Sequence, residues 1–223
     1  MKKLLLLAAL FTASFALGQS CPTLLSPMNL TDVPVETTIV WEEIPGVPGY
    51  RISLGTTPGG GEIIIDRLVG SANFFVPPLG LPEDTDIFVT ITLFFFDNSA
   101  DVVCPSISFR TETISEVPEC ATLNNPANLA IDVNARTNIT WNYSPRATEY
   151  VVRVFDEFGV EHFPATNVGN VLTINPPMDL PTATTIFVEI TALNRLGMAM
   201  NCTLQSFITA DIVVNLGCAT MLS

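Results

Sequence analysis

The sequence predicts an all-β fold: two tandem β-sandwiches behind a signal peptide. Three observations point to it. The chain repeats itself at a spacing of 98 to 100 residues. Its apolar residues alternate with a period of two. Gly (13) and Pro (17) fall largely between the apolar runs, as turns between short strands require.

Lys2 and Lys3 precede an apolar run from Leu4 to Leu17, and Ala16-Leu17-Gly18 offers the small residues that a signal peptidase reads. Residues 1–18 are expected to be a signal peptide, cut after Gly18. The run is too short to cross a bilayer, which needs about 20 residues, and no later stretch is long and apolar enough. A secreted or cell-surface protein without a transmembrane segment is implied. Cys21 has a rival reading as a lipidated first residue. Gly18 stands where that signal carries a branched apolar residue, and the repeat gives Cys21 another role.

Cys21-Pro-Thr-Leu returns as Cys120-Ala-Thr-Leu. Pro27, Asn29 and Leu30 return as Pro126, Asn128 and Leu129, and Trp41 and Tyr50 as Trp141 and Tyr150. Leu81-Pro82 returns as Leu180-Pro181, and Ile87-Phe88-Val89 as Ile186-Phe187-Val188. Cys104 returns as Cys202, and Phe109 and Thr111 as Phe207 and Thr209. So many matches in order mean duplication, with repeats over 19–115 and 119–212.

Within a repeat, Thr37 to Trp41 is rich in strand formers, and a second strand begins at Tyr50. Thr56-Thr57-Pro58-Gly59-Gly60-Gly61 makes a turn, and a strand is expected from Glu62 to Asp66. Ile87, Val89, Ile91 and Leu93 alternate with Phe88, Thr90 and Thr92, which buries one face of a strand. About seven short strands in about 95 residues fit a sandwich of the immunoglobulin type.

The cysteines follow the duplication. Cys21 and Cys104 lie 83 apart, Cys120 and Cys202 lie 82 apart, and export supplies an oxidising compartment. Each pair is expected to bridge within its repeat, and closing so long a loop contributes about 4–5 kcal/mol in the chain-entropy account. A metal site needs clustered ligands, and His162 is the single histidine. Cys218 is left over as an unpaired thiol. It opens Cys218-Ala-Thr-Met, one period after Cys120, so residues 213–223 read as a linker and the truncated start of a third repeat in a longer protein.

These features resemble fibronectin type III-like repeats, more narrowly those of secreted and surface proteins of Bacteroidetes. The resemblance covers residues 21 to 211. It is carried by the Cys-x-Thr-Leu opening, the Trp nine residues before a Tyr, the Leu-Pro-x-x-Thr-x-Ile-Phe-Val segment and the Cys…Phe-x-Thr ending. It implies modules that often precede a C-terminal domain linked to gliding motility or type IX secretion. The sequence departs from the fibronectin pattern in one respect: Ile87-Phe88 and Ile186-Phe187 supply no hydroxyl where a corner tyrosine is usual.

Acidic residues outnumber basic ones 22 to 9, which argues against nucleic acid as a partner. Glu42-Glu43 and Asp84 with Asp86 are carboxylate pairs at turns, read as solvated rather than catalytic. The Gly59–Gly61 run precedes no Lys and is no phosphate loop. No catalytic, cofactor or metal residue is assigned. Trp41, Trp141, Tyr50 and Tyr150 could stack on sugars but are expected in the core. Phe88, Phe94 and Phe96 share the face opposite Ile87 and form a candidate contact patch, unless a bend near Asp97 turns one of them inward. The function expected is a non-catalytic structural or adhesive repeat module, with a protein or glycan surface partner left unidentified. The alternative is an accessory, carbohydrate-binding array of an exported enzyme.

Overall fold

The computed structural model describes residues 20–96 and 100–211. The expected signal peptide, Cys218 with the segment around it, and the bend expected near Asp97 lie outside these residues. Among the described residues there is no helix long and apolar enough to cross a membrane.

The first repeat contains β1 (Leu24–Ser26), β2 (Ile39–Trp41), β3 (Gly49–Gly55), β4 (Ile64–Gly70), β5 (Phe74–Phe75), β6 (Asp86–Phe94), β7 (Val102–Val103) and β8 (Ile107–Arg110). The second contains β9 (Leu123–Asn125), β10 (Ile139–Trp141), β11 (Glu149–Asp156), β12 (Glu161–Gly169), β13 (Thr173–Ile174), β14 (Thr185–Asn194), β15 (Gly197–Met198) and β16 (Gln205–Ile208). One sheet of the first repeat has the order β1-β2-β5. The other has the order β4-β3-β6, with β7 and β8 along two stretches of the free side of β6. The second repeat copies this as β9-β10-β13 and β12-β11-β14, with β15 and β16 on β14. The two elements after β6 are one edge strand interrupted at Cys104, so the molecule is two tandem immunoglobulin-like sandwiches.

Alternation explains the core. Ile87, Val89, Ile91 and Leu93 of β6 point inward and are buried, as are Ile186, Val188 and Ile190 of β14. Each such side chain contributes about 1.5–3 kcal/mol on burial. Trp41 meets Tyr50 edge-on at 5.6 Å, and Trp141 meets Tyr150 likewise at 5.6 Å. The tyrosine hydroxyls accept from the backbone N–H of Ile44 and of Ser144. All four aromatics are 2 % exposed or less, so none offers a sugar platform.

Cys21 is bonded to Cys104 and Cys120 to Cys202, with Cα separations of 5.6 and 5.4 Å. The strand expected from Glu62 to Asp66 instead runs from Ile64 to Gly70. Glu62 is drawn back into the turn, where its carboxylate accepts from the N–H of Thr56 and the hydroxyl of Thr57.

Candidate functional site

The phenylalanine patch divides in two. Phe88 and Phe94 lie at opposite ends of β6, with Thr90 and Thr92 between them on the same outer face. Phe94 packs edge-on against Phe96 at 5.0 Å, and the Arg51 guanidinium lies over its ring at 4.6 Å. Phe96 itself is 71 % exposed. Phe95, by alternation, turns toward the core. Phe88 stands apart from this cluster, opposite Gly55 and Ser108.

Of the two carboxylate pairs, Glu42-Glu43 has a single side-chain contact among the described residues, the Thr23 hydroxyl donating to Glu42 at 3.3 Å, whereas the Asp84/Asp86 pair shares a basic partner. Asp84 and Asp86 both meet Arg110, at 2.9 and 3.2 Å, and these bonds raise the Arg110 pKa. In the first repeat Glu62 organises the turn between β3 and β4, and hydrogen bonds hold its carboxyl below the usual range. In the second repeat Asp156 does so between β11 and β12, accepting from Phe158 N–H, Val160 N–H and His162. Desolvation opposes charge on Asp156, yet the Val160 and His162 bonds outweigh it and lower its pKa. Among the described residues no group of three or more His, Cys, Asp or Glu side chains is placed to hold a metal.

Polar groups converge elsewhere, at the junction between the repeats. Glu36, in the turn after Val33, accepts from Arg146 N–H at 2.6 Å and from the Tyr143 hydroxyl at 3.4 Å. Burial, and then the Glu36 charge, push the Tyr143 pKa up. Glu83 meets Arg195 at 2.7 Å and accepts from Ile114 N–H at 2.8 Å, while Arg195 also donates to the Ile114 carbonyl at 2.7 Å. Asn194 donates to the carbonyls of Glu116 and Arg146, and Arg146 to that of Val117. Gly80 makes room for Tyr143, whose hydroxyl a side chain there would strike. The linker is therefore held by groups from both repeats.

None of these junction residues was singled out by motif reasoning. The signal was in the differences between the repeats rather than in their matches. In the first repeat Glu43, Gly46 and Phe96 hold the positions of Tyr143, Arg146 and Arg195. In the second, Arg136, Asp179 and Thr182 hold those of Glu36, Gly80 and Glu83. Phe96 thus sits at the leading pole of the first repeat, where the second repeat makes its junction.

No family model matches the sequence, and no curated relative matches it either. Among solved structures, the FN1–FN3 domains of chicken CNTN1 are 16 % identical over 82 % of this chain, with a TM-score of 0.32. A two-domain fibronectin type III segment of chicken tenascin is 15 % identical over 83 % of this chain, with a TM-score of 0.27. The chain spans 63 % of the CNTN1 structure and 95 % of the tenascin one. Likeness at this level concerns the fold alone, which the strand order already establishes.

Proposed function

We propose that the two repeats are a non-catalytic, tension-bearing spacer of an exported or cell-surface protein, holding whatever is joined to them at a fixed distance. The carrying observation is the placement of the disulfides. Each joins the start of a repeat to the segment just before its last strand stretch, short-circuiting 83 and 82 residues of chain. Pulled from its ends, the chain transmits force from Cys21 across the bond to Cys104, along residues 105–119, and across Cys120 to Cys202. A sandwich so bridged cannot pay out its length when its sheets yield. The linked junction suits the same role, because a spacer with a loose joint does not set a distance. Disulfide-bridged modules also suit the oxidising compartment that the signal segment implies. A following domain of the gliding or type IX secretion kind would fit such a spacer.

Single-molecule force spectroscopy tests the reading. Without reductant, stretching residues 19–223 should release no length corresponding to a bridged loop. With reductant, each repeat should release up to about 280 Å more, at about 3.4 Å per residue. Release of that length without reductant would overturn the proposal.

A further inference from the structure

The two repeats hold the same disulfide at the same place in one fold, so each is a control for the other. Their surroundings differ. In the first repeat Cys104 is 5 % exposed and Cys21 is half-buried, and both pack with the core of the sandwich. In the second, Cys202 is half-buried against the core, whereas Cys120 is exposed and stands outside it. A cavity of about 290 Å³ also opens beside Cys202, lined by Thr191, Met198, Ala199 and Thr203 among others.

Local sequence accounts for the difference. Val102-Val103 forms β7 directly before Cys104, whose own N–H donates to the Ile91 carbonyl of β6 at 2.9 Å. Cys104 is thereby tied to the sheet. In the second repeat β15 ends at Met198, and the chain continues through Ala199 and Met200 to Asn201, which turns it with a φ of 61° immediately before Cys202. Met198 and Met200 are both exposed. Strand register places Asn194 where the first repeat has Phe95. Phe95 packs against the first core, whereas Asn194 donates to the carbonyls of Glu116 and Arg146. Cys120 follows the linker, with its Sγ 3.7 Å from the Met200 carbonyl oxygen.

We infer that Cys120–Cys202 is a redox-sensitive staple: a small dithiol opens it in the folded chain while Cys21–Cys104 stays closed. Thiol–disulfide exchange requires a thiolate to reach a sulfur of the bond. At Cys120 it does so from solvent. The new bond forms at Cys120 Sγ, the Cys120–Cys202 bond breaks, and its electron pair leaves on Cys202 Sγ, which takes up a proton. The second thiol of the reagent then displaces Cys120, leaving two protein thiols and a cyclic disulfide. The dithiol is oxidised by two electrons and the protein is reduced by two. The first repeat offers such access only when its pole opens locally, and exchange there is slowed by the fraction of time spent open. One consequence rests on the spacer reading: a reducing setting makes the second repeat alone extensible.

Cysteine labelling tests the order of opening without applied force. The chain has five cysteines, and Cys218→Ser leaves the four that are bridged. This folded variant is held in dilute dithiothreitol, sampled over time into N-ethylmaleimide and mapped by mass spectrometry. Cys120 and Cys202 should be labelled together, at least about tenfold faster than Cys21 and Cys104. In urea sufficient to unfold the chain, the two pairs should open at similar rates. Equal rates in the folded chain, or faster opening of Cys21–Cys104, overturn the inference. So does a difference that persists undiminished in urea, because local sequence rather than burial would then set it. If the labelling order holds but stretching in the same dithiothreitol releases no bridged length, the spacer reading fails and the staple assignment stands.

Discussion

Thr111 and Thr209 perform one task twice. Each hydroxyl donates to a proline carbonyl, of Pro82 and Pro181, at 2.6 Å. Each accepts from a backbone N–H, of Thr85 at 2.9 Å and Thr184 at 3.0 Å. Both threonines are 2 % exposed, so no water replaces these bonds. They tie the corner before β6 and β14, the place where a tyrosine hydroxyl was missing from the sequence. Thr→Val at either position keeps the volume and strands two buried groups, which should cost about 1–3 kcal/mol. Urea unfolding with an unchanged slope would measure it. Trp→Ala at Trp41 or Trp141 should cost more, about 3–5 kcal/mol, because a core cavity is left as well. The Phe-x-Thr phrase was legible as a repeated pattern. Its role was not, because the partners lie 25 to 29 residues away in sequence and meet the hydroxyl only after folding.

At the scale of elements, alternation located the long strands, and turn chemistry located the hairpins. What periodicity could not reach was the way one carboxylate shapes each β3–β4 and β11–β12 turn. Glu62 delays β4 by two residues from where its β-prone sequence begins. Asp156 fixes the opposite turn from within the sandwich edge, as a 5 % exposed residue. Its lowered pKa gives a sign for pH dependence. A carboxyl whose folded pKa lies below its unfolded value of about 3.9 stabilises above that value, and the contribution fades as pH falls through the folded pKa. Asp156→Asn should therefore cost stability at neutral pH, and the gap from the wild type should close under acid. Denaturant midpoints of both proteins from pH 7 down to about pH 2 would follow it. A gap that stayed constant would mean the turn depends on shape rather than charge.

For the molecule as a whole, the sequence disclosed two modules and their staples but not their joint. Duplication draws attention to what matches, whereas the joint is made where the copies differ: Glu36 against Arg136, Gly80 against Asp179, Glu83 against Thr182. A joint that connects the trailing pole of one copy to the leading pole of the next cannot be identical at both, and its residues carry no motif. The Arg195–Glu83 pair is half-exposed on the arginine side and one-fifth exposed on the glutamate side. A pair so placed is worth about 0.2–1 kcal/mol, enough to shift a two-state joint by a factor of about 1.4 to 5 but not to free it. Arg195→Ala should then broaden the distribution of distances between spin labels on the two repeats only modestly. Adding Glu36→Ala removes the acceptor of Arg146 N–H and Tyr143 and should broaden it strongly. Arg136→Ala, which removes a surface pair with Asp179 away from the joint, should leave the distribution unchanged. Unfolding midpoints should barely move in any of the three, since each sandwich keeps its core and its disulfide. If the double variant kept a narrow distribution, the linker backbone alone would be setting the angle between the repeats.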